Sequence, residues 1–424
     1  MKKINLFLIS VLMGFTVNCF SQEEVQPEAE IVRPFHLSFI TPVSTNGMQS
    51  GEVTNIFSLN LFAGYSGGLH GFELGGFANI IKGDTKGLQI AGFSNTNRRN
   101  VSGCQIAGFS NVGLGTVNGA QIAGFANVVK DSIQAVQIAG FSNVSAGMNM
   151  GGQFAGFSNV SVGVANGIQV AGFMNVAKDS IHALQVAGFT NVAQGMPFGG
   201  QVSGFANVNH GDANGMQIAG FSNVTTGDIT GLQVSGFLNK AKKVDGVQIG
   251  VINIADTIEN GVGIGVLTIV KNGYRTFEIS GNETFYANVS FKTGTERLYN
   301  IITLGANTRK NQITWGWGFG FGTMLPVSEK LKLNVDAISY HVNEDVWFTN
   351  RLNLLNKLNV TAEYKIGNFM TVYGGPTWNV HVSHVYYVEG VQTTTSLVGW
   401  STFDRTRNRT NVKMYPGFTV GVRL

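Results

Sequence analysis

The stretch "QIAGFSNV" at residues 105–112 recurs at 137–144, and copies or near copies start at Gln89, Gln121, Gln153, Gln169, Gln185, Gln201, Gln217 and Gln233. Phenylalanine stands at 77, 93, 109, 125, 141, 157, 173, 189, 205, 221 and 237, an unbroken spacing of sixteen, with an asparagine two residues after each. A repeat this regular dictates the architecture and has to be read before anything else. With Gln as position 1, apolar residues recur at positions 2, 5, 8, 13 and 16, as in Ile122, Phe125, Val128, Ile133 and Val136, while glycine dominates positions 4, 11 and 15.

Two architectures use such a unit: a parallel β-solenoid with one repeat per coil, or an antiparallel barrel with one strand and one turn per repeat. A membrane strand alternates apolar and polar residues, and neither face of this unit is uniformly apolar. "VKDSIQAVQ" at 129 returns as "AKDSIHALQ" at 177, a jump of 48 residues or three units. Three antiparallel strands would invert such a duplication, whereas a parallel stack is indifferent to it. Every turn also has the same length. The expectation is a solenoid over 57–270, with a narrow core of stacked Phe109, Phe125 and Phe141 beside Val and Ile, excluding water. Gln105, Gln121 and Gln137, with Asn111, Asn127 and Asn143, are expected to form amide ladders between coils. The repeat decays at both ends of the array, as terminal units of a stack must.

Beyond about Gly273 the period becomes two. "MYPGFTVGVRL" puts Met414, Pro416, Phe418, Val420 and Val422 on one face and Tyr415, Gly417, Thr419, Gly421 and Arg423 on the other. "ITWGWGFGFGTML" sets Ile313, Trp315, Trp317, Phe319 and Phe321 against Thr314 and four glycines. One face for lipid and one for a crowded lumen predict an antiparallel outer-membrane-type β-barrel of about 8–10 strands over 271–424, with one or two strands from 35–56. A soluble sandwich satisfies the same alternation; the aromatic-glycine strand and the leader favour the barrel. The fold class is all-β.

The leader is "MKKINLFLISVLMGFTVNCFSQEE": two lysines, an apolar run too short to span a bilayer, then small and acidic residues. It reads as a signal peptide over 1–21, followed by a disordered acidic segment over 22–34. Cys104 is then the one remaining cysteine, so neither a disulfide within the chain nor a cysteine zinc site is expected. It occupies position 16, beside Val136 and Ile168, and reads as a small buried hydrophobe. Lysine plus arginine (28) barely exceeds aspartate plus glutamate (24), which argues against nucleic-acid binding.

The GxQIAGFxN units, the lead-in "NLFAGYSGGLHGFELGGFANI" and the segment "RLNLLNKLNV" resemble the uncharacterised bacterial surface-repeat outer-membrane proteins. That resemblance spans most of the chain beyond the leader. It implies an outer-membrane location and surface exposure in a Gram-negative envelope, and brings no assigned chemistry.

No motif supplies catalysis or a cofactor. The glycines of "GWGFGFG" alternate within a strand, unlike a phosphate loop, and His381 and His384, three apart on a strand, face opposite ways. Asp84, Asp131, Asp179, Asp212 and Asp228 are spread over turns of many coils, without the convergence an acid–base pair needs. One segment invites contact with an anion or partner: "DRTRNRT", whose Arg405, Arg407 and Arg409 suit lipopolysaccharide phosphates. The functional expectation is a non-enzymatic envelope protein presenting its repeats for adhesion or multivalent binding of an extended glycan or another surface protein. The alternative is a porin-like channel in which the repeats are also strands. The side of the membrane follows from strand parity and stays open, as does the oligomeric state.

Overall fold

In the computed structural model, residues 30–309, 312–366, 370–388, 391–393 and 397–424 are described. The expected signal peptide and most of the expected acidic segment lie outside them. The chain is a β-solenoid of about 14 turns joined to a closed eight-stranded antiparallel barrel.

Each coil contributes one longer and one shorter strand to two facing parallel sheets. Val117–Ala123 lies between Val101–Ala107 and Ile133–Ala139 with Gln121 opposite Gln105 and Gln137. Ala126–Val129 lies between Ser110–Gly113 and Ser142–Ser145 with Asn127 opposite Asn111 and Asn143. Sixteen residues return the chain to the same place one coil further on, so identical side chains stack. The repeats are therefore not antiparallel barrel strands.

The interior differs from expectation in the placing of the phenylalanine row. Gln105, Gln121, Gln137, Asn111, Asn127 and Asn143 are wholly buried, together with Ala123 and Val117 or Ile133. Phe109 and Phe125 are 40% and 37% exposed, and their row runs along the outside of the corner. The reason is the gap between the sheets, which across the repeats holds alanine, valine, isoleucine and amides but no phenylalanine ring. Positions 13, 1 and 3 share the inward phase of the longer strand, position 4 turns the corner, and position 5 swings out. A Cβ on Gly124 would stand 2.1 Å from the carbonyl oxygen of Gly108 in the coil before, so only glycine makes that turn at this spacing. In several coils the glycine of position 15 has a different reason: Gly119 holds φ at 130°, whereas Ala135 and Ala183 stand at that position in other coils. Cys104, expected to be buried, faces outward from its sheet and is partly exposed.

Ile31–Ile40 also departs from expectation. It pairs in parallel with Val53–Asn60 and is the first strand of the solenoid, not part of the barrel. It begins inside the segment expected to be disordered. Pro34, which lacks an N–H, sits in this edge strand where proline is tolerated. Val43–Ser44 folds back antiparallel on the end of the same strand, and Gly47–Glu52 adds a 3-10 turn. These pieces partly cover an edge that would otherwise invite pairing.

All eight barrel strands follow the solenoid: Tyr274–Asn282, Ala287–Gly294, Tyr299–Arg309, Gln312–Pro326, Leu331–Glu344, Asn353–Ile366, Met370–His384 and Thr410–Arg423. Thr419–Arg423 pairs with Glu278–Asn282 and closes the cylinder. The alternation expected of the last strand holds: Tyr415, Thr419 and Arg423 are buried inside, while Phe418 and Val420 are each 58% exposed outside. In Gln312–Pro326 the inward glycines make room for large neighbours. A Cβ on Gly322 would meet Asp336 at 2.1 Å and the Tyr299 ring at 2.3 Å.

The two parts meet at the outside of the barrel wall. In Ala287–Gly294 and Tyr299–Arg309, Lys292 and Tyr299 point inward, so the next residues, Thr293 and Asn300, point out; they oppose each other across the strands. The last solenoid strand, Leu267–Val270, pairs on one edge with Ile252–Ala255. Its other edge meets this outward pair. The Thr268 N–H donates to Asn300 Oδ1 at 3.0 Å, Thr293 Oγ1 donates to the Thr268 carbonyl at 2.9 Å, and Asn300 Nδ2 donates to the Gly265 carbonyl. Edge hydrogen bonds of a strand point along the stacking direction. The solenoid therefore leaves the barrel sideways, from its wall.

Candidate functional site

Three places hold chemistry: the barrel lumen, the solenoid interior and the solenoid surface. The lumen is filled by side chains that pair with one another. Lys292 Nζ lies 2.7 Å from Asp336 and 2.9 Å from Glu278. Arg423 Nε bonds Glu278 at 2.9 Å, and its Nη1 bonds Glu363. Tyr299 Oη donates to Asp336 at 2.6 Å, and Arg423 lies 4.4 Å from the centre of the Tyr373 ring. Higher in the barrel Lys357 pairs with Glu283, which also accepts the N–H of Phe418 at 2.9 Å. Tyr340 and Phe285 pack between the two clusters. A barrel of this size has a lumen that side chains can fill, and these do. The arrangement pairs the buried charges and ties seven strands together; at the solenoid end of the barrel Glu363 and Arg423 also line a small pocket with Glu296 and Lys332.

The solenoid interior carries two amide ladders that run in opposite directions. Each Gln donates through Nε2 to the Gln one coil earlier, as in Gln121 to Gln105 at 2.7 Å and Gln137 to Gln121 at 2.8 Å. Each Asn donates through Nδ2 to the Asn one coil later, as in Asn111 to Asn127 and Asn127 to Asn143, both at 2.9 Å. The same Asn127 amide also donates to the Ile138 carbonyl at 2.8 Å, bridging the two sheets. In the third coil both ladders reach one acceptor, Glu73, which burial pushes above the ordinary carboxylate range. Inside the first coils, His36 Nδ1 lies 3.0 Å from Ser58 Oγ, and burial holds that imidazole below its usual value.

On the surface, twelve phenylalanines from Phe62 to Phe237 form one continuous stack. Neighbouring centroids lie 4.7 Å apart at Phe77–Phe93 and 5.1 Å at Phe221–Phe237, with rings near parallel. The outward rows beside it are apolar too: Ile122, Ile138 and Ile218 at position 2, Val136 and Ile168 at position 16. Between Lys82 and Asp228 every Asp, Lys and Arg falls at positions 10 to 14, on the opposite side of the coil. The cross-section is amphipathic.

Of the sites expected from sequence, Asp131 and Asp179 bond their own neighbours, each accepting from the N–H of the following serine at 2.8 and 2.7 Å. His381 is buried in the lumen with Nε2 2.7 Å from Asn353 Oδ1, and His384 faces the other way. Arg405 and Arg407 lie on one face of the exposed strand Phe403–Arg407, which pairs with Thr410–Arg423, and Arg409 is exposed in the hairpin turn between them. All three are at the barrel end far from the solenoid. The lumen cluster escaped the sequence reading, although its signal was present: Glu278, Lys292, Asp336, Glu363 and Arg423 all fall in the inward phase of their strands.

The molecule is thus a repeat solenoid fused to a small closed barrel. No family model, curated protein or solved structure matches the chain.

Proposed function

We propose that this is a non-enzymatic outer-membrane protein whose barrel is an anchor and whose solenoid is a repetitive scaffold on the periplasmic side. The observation that carries this is the barrel's asymmetry. The solenoid and both termini of the barrel domain sit at the end where strands are joined by 295–298 and 327–330, while the long connections, 345–352 and 385–409, are at the other end. Outer-membrane barrels keep short turns in the periplasm and long loops outside. The outward band of Val289, Leu304, Ile313, Trp378, Phe418 and Val420 suits lipid contact.

The self-paired lumen supports an anchor over a channel. The signal-like leader and the resemblance to surface-repeat outer-membrane proteins support the envelope. With the solenoid inside, its polar edge at positions 10 to 14 faces the periplasm and repeats at roughly 4.8 Å. Such a lattice suits an extended partner held by many weak polar contacts, and a cell-wall glycan has that form. Pull-down of purified peptidoglycan by full chain in detergent tests this: retention that falls when Lys130, Asp131, Lys178 and Asp179 are all replaced by alanine supports it, and no retention removes the glycan. On the outer face, the exposed Arg405, Arg407 and Arg409 would be the contacts for lipopolysaccharide phosphates.

A further inference from the structure

Resting on the membrane reading of the barrel, we infer that the solenoid lies flat along the periplasmic surface of the outer membrane, with its phenylalanine corner immersed in the lipid of the inner leaflet. Three observations lead there. The first is direction. The edge of Leu267–Val270 is bonded to Thr293 and Asn300, which project outward from the barrel wall, so the stack runs away from the wall and not along the barrel axis.

The second is height. Two residues further along each strand, the next outward pair is Phe291 and Ile302, the latter 42% exposed, and beyond them come Val289 and Leu304 at 54% and 58%. Thr293 and Asn300 are therefore the last polar outward pair before the apolar band begins. A rod leaving sideways at this level runs along the border between lipid and water, and its surface is continuous with the barrel's lipid face.

The third is what the rod exposes. Aromatic side chains bury about 150–250 Å² each, so the ten of these rings that are 37–46% exposed leave on the order of 800 Å², before the aliphatic rows beside them are counted. The largest apolar patch on a typical soluble monomer is about 300–600 Å². No charge interrupts positions 2 to 8 from Leu74 to Leu238, and the charges collect on the opposite edge. This is the cross-section of an interfacial amphipathic helix, built on a β-solenoid about 65 Å long at the stacking spacing. The buried amide ladders complement it, since they satisfy their polar groups inside and ask nothing of the surroundings.

The test uses full-length chain reconstituted in phospholipid vesicles, with Cys19→Ser and Cys104→Ser as background and spin labels on single cysteines at Phe125, Phe173, Asp131, Asp179 and, in the barrel, Val420. Collision with oxygen reports lipid, and collision with a water-soluble nickel chelate reports water. The expected result is a lipid signature at Phe125→Cys, Phe173→Cys and Val420→Cys, and a several-fold reversal of the ratio at Asp131→Cys and Asp179→Cys. A lipid signature at Val420→Cys with water at both phenylalanine positions overturns the inference and leaves the membrane barrel standing. Water at Val420→Cys overturns both. Protection from both probes with spin–spin broadening at Phe125→Cys shows a second copy on the corner in place of lipid, and overturns the inference as well. Far-UV spectra and amide protection matching the parent chain establish that each labelled protein is folded.

Discussion

Gln89 Nε2 donates to Glu73 Oε2 at 2.8 Å, and Asn60 Nδ2 donates to the other oxygen of the same carboxylate at 3.0 Å. The glutamine ladder ends there and the asparagine ladder begins there. A carboxylate oxygen only accepts, so Glu73 terminates both runs without leaving a donor unpaired, which a glutamine at this place would do.

Glu73→Gln is expected to set one amide N–H against the Asn60 donor and to destabilise the first coils by about 1–3 kcal/mol, the cost of an unpaired buried polar group. Hydrogen exchange of the amides at 57–91 measures this locally, which suits a repeat array better than a global midpoint. Exchange at 200–250 stays at the parent rate.

The same residue makes the first coils pH-dependent. Burial raises the folded-state pKa of Glu73 above its ordinary 4.5, so the folded chain holds that proton more tightly than the unfolded one. This contribution is complete below pH ~4.5 and is lost as pH rises through the raised value, because the unfolded state then binds fewer protons. Exchange at 57–91 is expected to speed up over that interval, and Glu73→Gln removes the dependence. An unchanged slope in the variant assigns it to another group.

Interior and exterior rows respond differently to truncation. Gln137→Ala leaves the Gln121 acceptor and the Gln153 donor without their partners, each about 1–3 kcal/mol. Gly124→Ala drives a Cβ against the Gly108 carbonyl and is expected to part the coils more severely than Phe125→Ala, which removes a ring already 37% exposed. Protease nicking of the solenoid in detergent ranks the three.

In the lumen, Arg423→Ala leaves Glu278 and Glu363 beside one fewer cation and is expected to cost about 3–5 kcal/mol, as breaking buried pairs does. Loss of the compact form that resists unheated detergent on a gel reports it. Arg405→Glu, Arg407→Glu and Arg409→Glu together are expected to leave that form intact and to abolish binding to lipopolysaccharide.

The architecture was largely legible in the sequence. A period of sixteen, a duplication three units long and equal turns call for a parallel stack, and the alternation at 414–423 survives as the barrel's inside and outside. What escaped was the side of the Phe row. Apolar periodicity says that Phe125 stacks, not which way it faces; the inward phase is set by Gln121 and Ala123, and the corner by the backbone contact of Gly124 with Gly108, none of which a hydrophobicity rule weighs. Ile31–Ile40 is ambiguous in sequence because an alternating strand looks alike in a first coil and in a barrel. The Glu73 terminator is a single departure from the glutamine column, and its meaning lies in the opposite directions of the two ladders, which a sequence does not display.

The central claim is that the barrel anchors a solenoid held on the periplasmic side. An epitope inserted at Gly195, where the strand Thr190–Ser203 rounds the charged edge of the solenoid, and a second at Trp347, in the long barrel connection, are probed on intact and permeabilised cells at matched expression. The account predicts labelling at Trp347 on intact cells and at Gly195 only after permeabilisation. Labelling at Gly195 on intact cells would contradict it and place the repeats on the cell surface.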